Sequence, residues 1–592
     1  MHKLLLILRT VCHLKPIQVT NRIWRKLLPK GVGRGMVAGD SAAARDGTRA
    51  LPEFTFLNQT ARPNGWNDPT LSKLWLYNLH YFDFLGEKLK CEVEVEQRKM
   101  ELVLKWIAEN PAGYGNGWEP YPISLRVVNW IKWLGMRGEK LKGEVEGEKL
   151  KCEVEGEVEV EGEGREGRES RWTGEEALIR RSLTEQVEWL SKRLEYHLLA
   201  NHLLANAKAL VFAGAFLGVE KWYRKGMAIY RKELPEQICA DGVHFERSAM
   251  YHSIILEDVL DCFKLLGKRV QEFKGSRVQG EREFKSSRVQ GERRFKGSRV
   301  QEFKSGVEVG VEVEGEEREE RRGGEEGREE DRGFFRGYAE RMLAGLKLLT
   351  GPDGKIVKFN DAADGIAKTP AELFAFAQSL DLKPGAPGSA GDSGFVRIER
   401  GAACLVAKCG PIGPDYQPGH AHADTGSFEF WKDGVKIVTD TGTDRYVIDA
   451  ERKRQRGTAA HNTVMIDGRD SSEVWAGHRV ARRAKSEGWS VDGATLALAY
   501  RDYRGFRIRR TLELADDGVR GTDEISGSGE HELELRWHFA PGKSAMVKCE
   551  PGEPVLESAM ICEEFGRQSE SHVAVLRLKT VLPTTVRWTI LI

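Results

Sequence analysis

Several things are scarce in this 592-residue sequence. No apolar run approaches the roughly twenty residues that a membrane-spanning helix needs, so no transmembrane segment is expected. The nine cysteines are odd in number and scattered, and no CxxC pair occurs, which excludes a disulfide framework and a cysteine-based zinc site. Net charge is nearly absent: 91 Lys and Arg face 90 Asp and Glu, for a formal +1. A surface built for nucleic acid is therefore not expected. The first apolar stretch, Leu4 to Leu8, stops at Arg9, and Lys15, Arg22, Arg25 and Lys26 follow. That pattern suits an amphipathic surface helix better than a cleavable secretion signal. Apolar residues make up 40% of the chain and charged residues 31%, with 64 glycines. The length allows about four domain units by simple division, or two or three once large architectures are considered.

Much of the glycine and charge sits in three low-complexity stretches. Residues 86–95 read GEKLKCEVEV, and residues 138–170 repeat the same words. Residues 268–333 repeat SRVQGE and FK units before passing into GEEREERRGGEEGREEDRG. Such stretches cannot bury enough apolar surface to offset the entropy of ordering, and read as expanded insertions into surface loops. With them set aside, residues 1–380 carry helical periodicity, as in PISLRVVNWIKWL (Pro122 to Leu134), the stretch Leu183 to Gly218, and MYHSIILEDVLDCFKLLG from Met250. Residues 381–392 form a Pro/Gly-rich linker. From 393 to 592 short strands alternate with DG and GA turns, which predicts an antiparallel sandwich.

The densest cluster of reactive side chains is GHAHADTGSFEF. His420 and His422 are two residues apart, so an extended backbone puts both on one face, which Asp424 continues. Asp440 and His461 follow. Two or three histidines with a carboxylate suit a zinc-like ion. A hydrogen-bonded polar cluster explains the same residues, and spacing does not say which histidine would bind metal and which would do chemistry. In HLLANHLLANAKAL the word HLLAN occurs twice, giving His197 and His202, Asn201 and Asn206. A shift of five residues turns a helix face by about 140°, so only one copy can point into a given pocket. GVHFERSAMYHS offers Glu246, Arg247 and Tyr251, and WEPYPISLRVVNW offers Tyr121 and Arg126. Each could line a sugar-stacking groove or serve as helix packing.

Taken in order, ANHLLANAKAL, DGVHFERSAMYH, KFNDAADG, GHAHADTGSFEF, VTDTGT and AAHNTVMIDG resemble the heparinase II/III family of polysaccharide lyases. The resemblance covers nearly the whole chain outside the three insertions. It implies an incomplete (α/α) toroid followed by an antiparallel β-sandwich. The implied activity is β-elimination at a uronic acid in an acidic polysaccharide, the expected partner. Removing the C5 proton builds charge on the uronate carboxylate, which a donor must offset while a base and an acid serve C5 and O4. Carried over by motif, Asn201 is the carboxylate neutraliser with His202 beside it as a second donor. Tyr251 is the general acid and could also be the base, and His420 is the partner base from the sandwich. Glu246, Arg247, Tyr121 and Arg126 are the candidate substrate contacts. His422, Asp440 and His461 resemble the family's metal ligands, with zinc in a structural role. Asn360 and Asp361 are expected to close the toroid without a catalytic part. The resemblance implies a periplasmic protein, while the weak N-terminal signal keeps the cytoplasm open. Two other functions use the same residues: a non-catalytic carbohydrate-binding or assembly protein on this scaffold, and a metal-dependent hydrolase built on His420, His422, Asp424 and His461.

Overall fold

A computed structural model of the chain describes residues 2–27, 50–86, 92–154, 174–267, 313–386 and 391–592, with backbone alone at 2, 27, 92–94, 138–154 and 313–326. Two N-terminal helices, His2–Val11 and Pro16–Leu27, precede a hairpin of β1 (Phe54–Phe56) and β2 (Gln59–Ala61). The helical half then runs through Lys73–Tyr81, Glu92–Glu109, Pro120–Val154, Gly174–Ser191, Ala200–Leu217, Glu220–Gln237, Ala249–Gly267, Val313–Leu348 and Pro370–Gln378. Its core holds Trp75, Trp106, Trp130 and Trp133, each at most 1% exposed. Truncating one of these to alanine would cost about 3–5 kcal/mol. Helices Ala200–Leu217 and Glu220–Gln237 lie very close because glycines face across the contact. A Cβ on Gly214 would meet the Tyr223 backbone nitrogen at 2.4 Å, and one on Gly226 the Ala207 carbonyl at 2.8 Å.

The insertions are not wholly unstructured. The helix Pro120–Val154 continues into the stretch expected to be a solvated loop from 138, and Val313–Leu348 and Glu92–Glu109 also begin inside such stretches. Their Glu, Lys and Arg residues have good helix propensity and no proline interrupts them, so a neighbouring helix can propagate into them. The remaining parts of these stretches, 87–91, 155–173 and 268–312, lie outside the described residues.

Helix gives way to strand between Gln378 and Phe395. The sandwich strands are β3 (Phe395–Arg400), β4 (Ala403–Lys408), β5 (Phe428–Lys432), β6 (Val435–Val438), β7 (Val464–Ile466), β8 (Val474–Trp475), β9 (Arg479–Val480), β10 (Lys485–Asp492), β11 (Thr495–Arg501), β12 (Arg507–Ala515), β13 (Gly518–His538), β14 (Met546–Glu550), β15 (Val555–Glu564) and β16 (Arg567–Leu591). One sheet has the order β3-β4-β5-β6, and the other β10-β11-β12-β13-β16-β14, with β7 on β13 and β15 on β16; all pairings are antiparallel. The β5–β6 turn is Asp433-Gly434 with φ of 52° and 76°, the left-handed pair that a tight hairpin requires. The sequence suggests two strands where β13 is one of 21 residues. A register shift between Ile525 and Gly529 lets it bend without ending. Leu405, Phe428 and Phe430 from the smaller sheet pack against Leu512, Leu535 and Trp588 from the larger.

The two halves share a third apolar cluster. Met250 and Tyr251 from the helical half, Phe359 and Ala362 from the connecting segment, and Phe395, Val406 and Trp431 from the sandwich are buried together. Among the described residues no helix is long and apolar enough to cross a membrane.

Candidate active site between the two halves

Asn201 stands in the first turn of Ala200–Leu217, just after the chain leaves Gly174–Ser191. The entry to that turn is strained: Leu199 and Ala200 have φ of 62° and 50°. Arg247 (φ 55°) follows Glu246, and Asn360 (φ 59°) precedes Asp361. Left-handed backbone without glycine costs of order 1–3 kcal/mol per residue. Here four such residues adjoin the side chains that line one cleft.

Those side chains converge from both halves. Asn201 Nδ2 donates to Glu246 Oε1 and Oε2 at 3.1 and 3.0 Å and lies 3.5 Å from His420 Nε2. The Tyr251 ring stacks on His420 with centroids 3.8 Å apart. Tyr251 OH is 3.0 Å from Tyr446 OH. Asn201, Glu246, Tyr251 and His420 are each at most 9% exposed. Burial raises Glu246 above the usual carboxylate range, against the opposing pull of His420 and Asn201. Burial, reinforced by Tyr446, also lifts Tyr251 well above an ordinary phenol. Tyr251 therefore enters the cleft as a neutral, protonated group.

Asp361 organises the opposite side. One oxygen meets His420 Nδ1 at 2.9 Å and the other His422 Nε2 at 2.8 Å. Arg452 forks onto both oxygens, with Nη2 at 2.8 Å from Oδ2. Burial opposes the charge of Asp361, but Arg452 and the two imidazoles outweigh it and hold the carboxyl well below its ordinary pKa. An ionised carboxylate only accepts hydrogen bonds, so the ring nitrogens facing it are both N–H. This fixes two tautomers at once. His420 keeps its lone pair on Nε2, toward Asn201 and the cleft. His422 keeps its lone pair on Nδ1, turned away.

That second lone pair has no hydrogen-bond partner, and neither has His461 Nε2 or Asp424 Oδ2, all buried. The His422 and His461 rings are 5.4 Å apart. Asp440 Oδ2 accepts from His461 Nδ1 at 2.8 Å, which leaves Nε2 as the free nitrogen. Two imidazole lone pairs and a carboxylate oxygen are the donor types a zinc-like ion takes, but these three do not all come within 4.8 Å of one another. Asp440 here orients His461, while the unpartnered carboxylate oxygen belongs to Asp424. The other oxygen of Asp424 pairs with buried Lys408. Asp361, His420 and His478 do bring potential ligand atoms within 4.8 Å of one another. At that spot, however, the Arg452 guanidinium already balances the Asp361 charge.

The remaining expected residues take other places. His202 faces Glu195 at 3.3 Å and packs against Tyr121 with ring centroids 4.5 Å apart, tilted by 46°. No hydrogen bond joins it to Asn201, Tyr251 or His420 among the described residues. Its pKa is raised: burial lowers it, but the Glu195 carboxylate more than compensates. Tyr121 is half-buried beside it and edge-on to Tyr81. Arg126 does not line the cleft. It is fully buried, lies 3.8 Å over the Trp106 ring and donates to Gln186, His80 and Gly117. Arg247 is likewise occupied, donating to the carbonyls of Ser393 and Phe245 and so tying the two halves together. Of the doubled HLLAN word, only Asn201 reaches the cleft; Asn206 caps the Glu195 amide and binds Ser124.

Asp361, Arg452 and Tyr446 are the members that sequence reasoning missed. Asp361 stands in KFNDAADG, whose glycine and small residues look like a turn. Arg452 is one cation in AERKRQR, which looks like a solvated helix, yet it is fully buried. Asn360 is no mere loop residue either. Its amide donates to the carbonyls of Arg247 and Ile412 and its oxygen accepts from Lys408 and the His422 backbone, joining three segments.

Two family models match the chain. Heparinase II/III N-terminus covers residues 177–275, and Heparinase II/III-like, C-terminal covers 383–576. Over these two segments the chain is heparinase II/III-like. Both models include the cleft residues just described, apart from the segment of Asp361. This heparinase II/III-like chain is 22% identical over 370 residues to a heparin-sulfate lyase of Bacteroides stercoris, covering 59% of this chain and 47% of that one. It is 32% identical over 105 residues to a heparin-sulfate lyase of Pedobacter heparinus, covering 17% and 16%. The matches thus span about half or less of the curated relatives' length. A crystal structure of heparinase III superposes with a TM-score of 0.59 at 16% identity, covering 89% of this chain and 79% of that one. That likeness identifies the architecture as an incomplete toroid followed by a β-sandwich.

Proposed function

We propose that this heparinase II/III-like chain is a polysaccharide lyase that cleaves a uronate-containing acidic polysaccharide by β-elimination. The observation that carries the reading is the meeting of Asn201, Tyr251 and His420 in one cleft, with the His420 tautomer set by Asp361. The Asn201 amide offsets the uronate carboxylate as the C5 carbanion character develops. Glu246 accepts from the Asn201 amide through both oxygens and so orients it, while burial raises its pKa above the usual carboxylate range. His420 Nε2 takes the C5 proton. The C4–O4 bond breaks as the C4=C5 double bond forms, and Tyr251 OH gives its proton to the departing O4. Proton return from His420 to Tyr251 through solvent resets the site. No water attacks the sugar, so the spaced carboxylate pair of a glycosidase is not needed.

His422 and His461, with Asp424 or Asp440, would hold a zinc-like ion. When bound it would serve as a cross-link, fixing the loop that presents His420. The relatives' printed names, heparin-sulfate lyases of bacteria, agree with an acidic polysaccharide as substrate.

The test is ultraviolet absorbance of unsaturated uronate products over a panel of acidic polysaccharides, with Tyr251→Phe as control. A rise that Tyr251→Phe abolishes supports the reading. Glycan binding without product, undisturbed by Tyr251→Phe, would replace it with the non-catalytic carbohydrate-binding function. Saturated products that vanish on chelation would replace it with hydrolysis.

A further inference from the structure

The two N-terminal helices expose an unusual amount of apolar surface. Eight of the twenty-one exposed large apolar side chains among the described residues lie between Leu4 and Trp24. On His2–Val11, Leu4 (60% exposed), Leu8 (58%) and Val11 form one stripe at helical spacing. On Pro16–Leu27, Val19 and Ile23 (58%) do the same, and exposed Trp24 (59%) flanks them. A soluble surface seldom leaves such groups together without a use.

The opposite faces of both helices are already engaged. Arg9 pairs with Glu473, and Thr10 accepts from Trp475 Nε1 and donates to the Val480 carbonyl, which fixes the first helix on the sandwich. Gln18 donates to the Tyr416 carbonyl, Lys15 pairs with Glu236, and Arg25 reaches His197, which fixes the second on the helical half. The helices are therefore held in place with their apolar stripes outward.

Charge selects the occupant. Residues 1–27 contain six Lys and Arg and no Asp or Glu, in a chain whose net charge is only +1. Lys3, Arg22 and Lys26 are exposed, and none has a carboxylate partner among the described residues. Apolar stripes flanked by cations, with a tryptophan among them, match a lipid surface carrying anionic headgroups. A second copy of this chain would gain the apolar contact but bring a second set of like charges.

We propose that helices His2–Val11 and Pro16–Leu27 dock the protein in the plane of an anionic lipid surface, without spanning it. This inference stands apart from the catalytic reading. The test is flotation of the full chain with vesicles of phosphatidylglycerol and phosphatidylcholine, and with phosphatidylcholine alone. The parent is expected to float with the mixed vesicles, and about ten-fold less with the neutral ones. A Leu8→Glu, Ile23→Glu, Trp24→Glu variant, checked by its melting temperature, is expected to lose flotation. Should that variant melt early, Arg22→Gln with Lys26→Gln keeps the apolar stripes and is expected to weaken flotation on anionic vesicles alone. A parent that stays off anionic vesicles, or folded variants that float as well as the parent, would overturn the proposal. So would a parent that ignores vesicles and forms a dimer that the glutamates dissociate, which assigns the face to a second copy.

Discussion

The helical wall of the cleft offers the Asn201 amide and the protonated Tyr251 phenol, with Glu246, its pKa raised by burial, bonded to Asn201. The sandwich wall is instead arranged around a fixed charge, with Asp361 held ionised by Arg452 and two imidazoles. Asn201 and Tyr251 on the helical wall can receive an anionic sugar without repelling it. On the charged wall His420 reaches the sugar, and Asp361 acts by deciding which of its nitrogens is bare. Damage to the uncharged groups and damage to the ion pair should therefore look different.

The largest effect should come from the helical wall. Tyr251→Phe removes the proton donor and is expected to lower turnover by about 10²–10⁴-fold while the melting temperature stays close to the parent's. Asn201→Ala should reduce turnover by about 10²–10³-fold, again without unfolding. The charged wall should fail in both respects. Asp361→Asn leaves Arg452 buried without its counter-charge, a cost of about 3–5 kcal/mol in chemical denaturation, and turnover should fall with it. If Asp361→Asn kept parental stability, the division between the walls would be wrong. Metal chelation should lower the melting temperature by several degrees, and elemental analysis of the untreated protein should find a zinc-like ion.

The smallest effect belongs to a histidine away from the cleft. His252 is buried, accepts from the His244 amide on Nδ1 and meets the Met342 carbonyl through Nε2, so its neutral form is the one that fits. Burial lowers its pKa to about 4. A histidine depressed in the folded state adds stability above its unfolded value, near 6.5, and that stability drains away as pH falls through the folded value. Between pH 7 and 5 the parent should lose about 2 kcal/mol more than His252→Gln, measured by urea midpoints.

The fold was largely readable because its signals are local. Asp433-Gly434 marks a hairpin, and the Pro/Gly-rich stretch before Phe395 marks the change from helix to strand. The continuity of β13 was not readable, since Gly527 and Gly529 look like a turn but serve a register shift. Strands β14 to β16 lie within the expected sandwich, with Pro541-Gly542, Pro551-Gly552 and Gly566 at their turns. In the site, Asn201, Tyr251 and His420 stood out through their motif words. Asp361 and Arg452 did not, because they are 91 residues apart and gain meaning only when the chain folds one onto the other. The bends at Leu199, Ala200, Arg247 and Asn360 gave no warning either, since none of these is a glycine.

The apolar cluster of Met250, Phe359, Phe395 and Trp431 has one more consequence. Cut between Gln378 and Ser393, the chain would yield two fragments, each with a raw hydrophobic scar and half a reaction centre. Neither fragment is a portable module, and evolution could not have swapped one lid for another without recutting the seam.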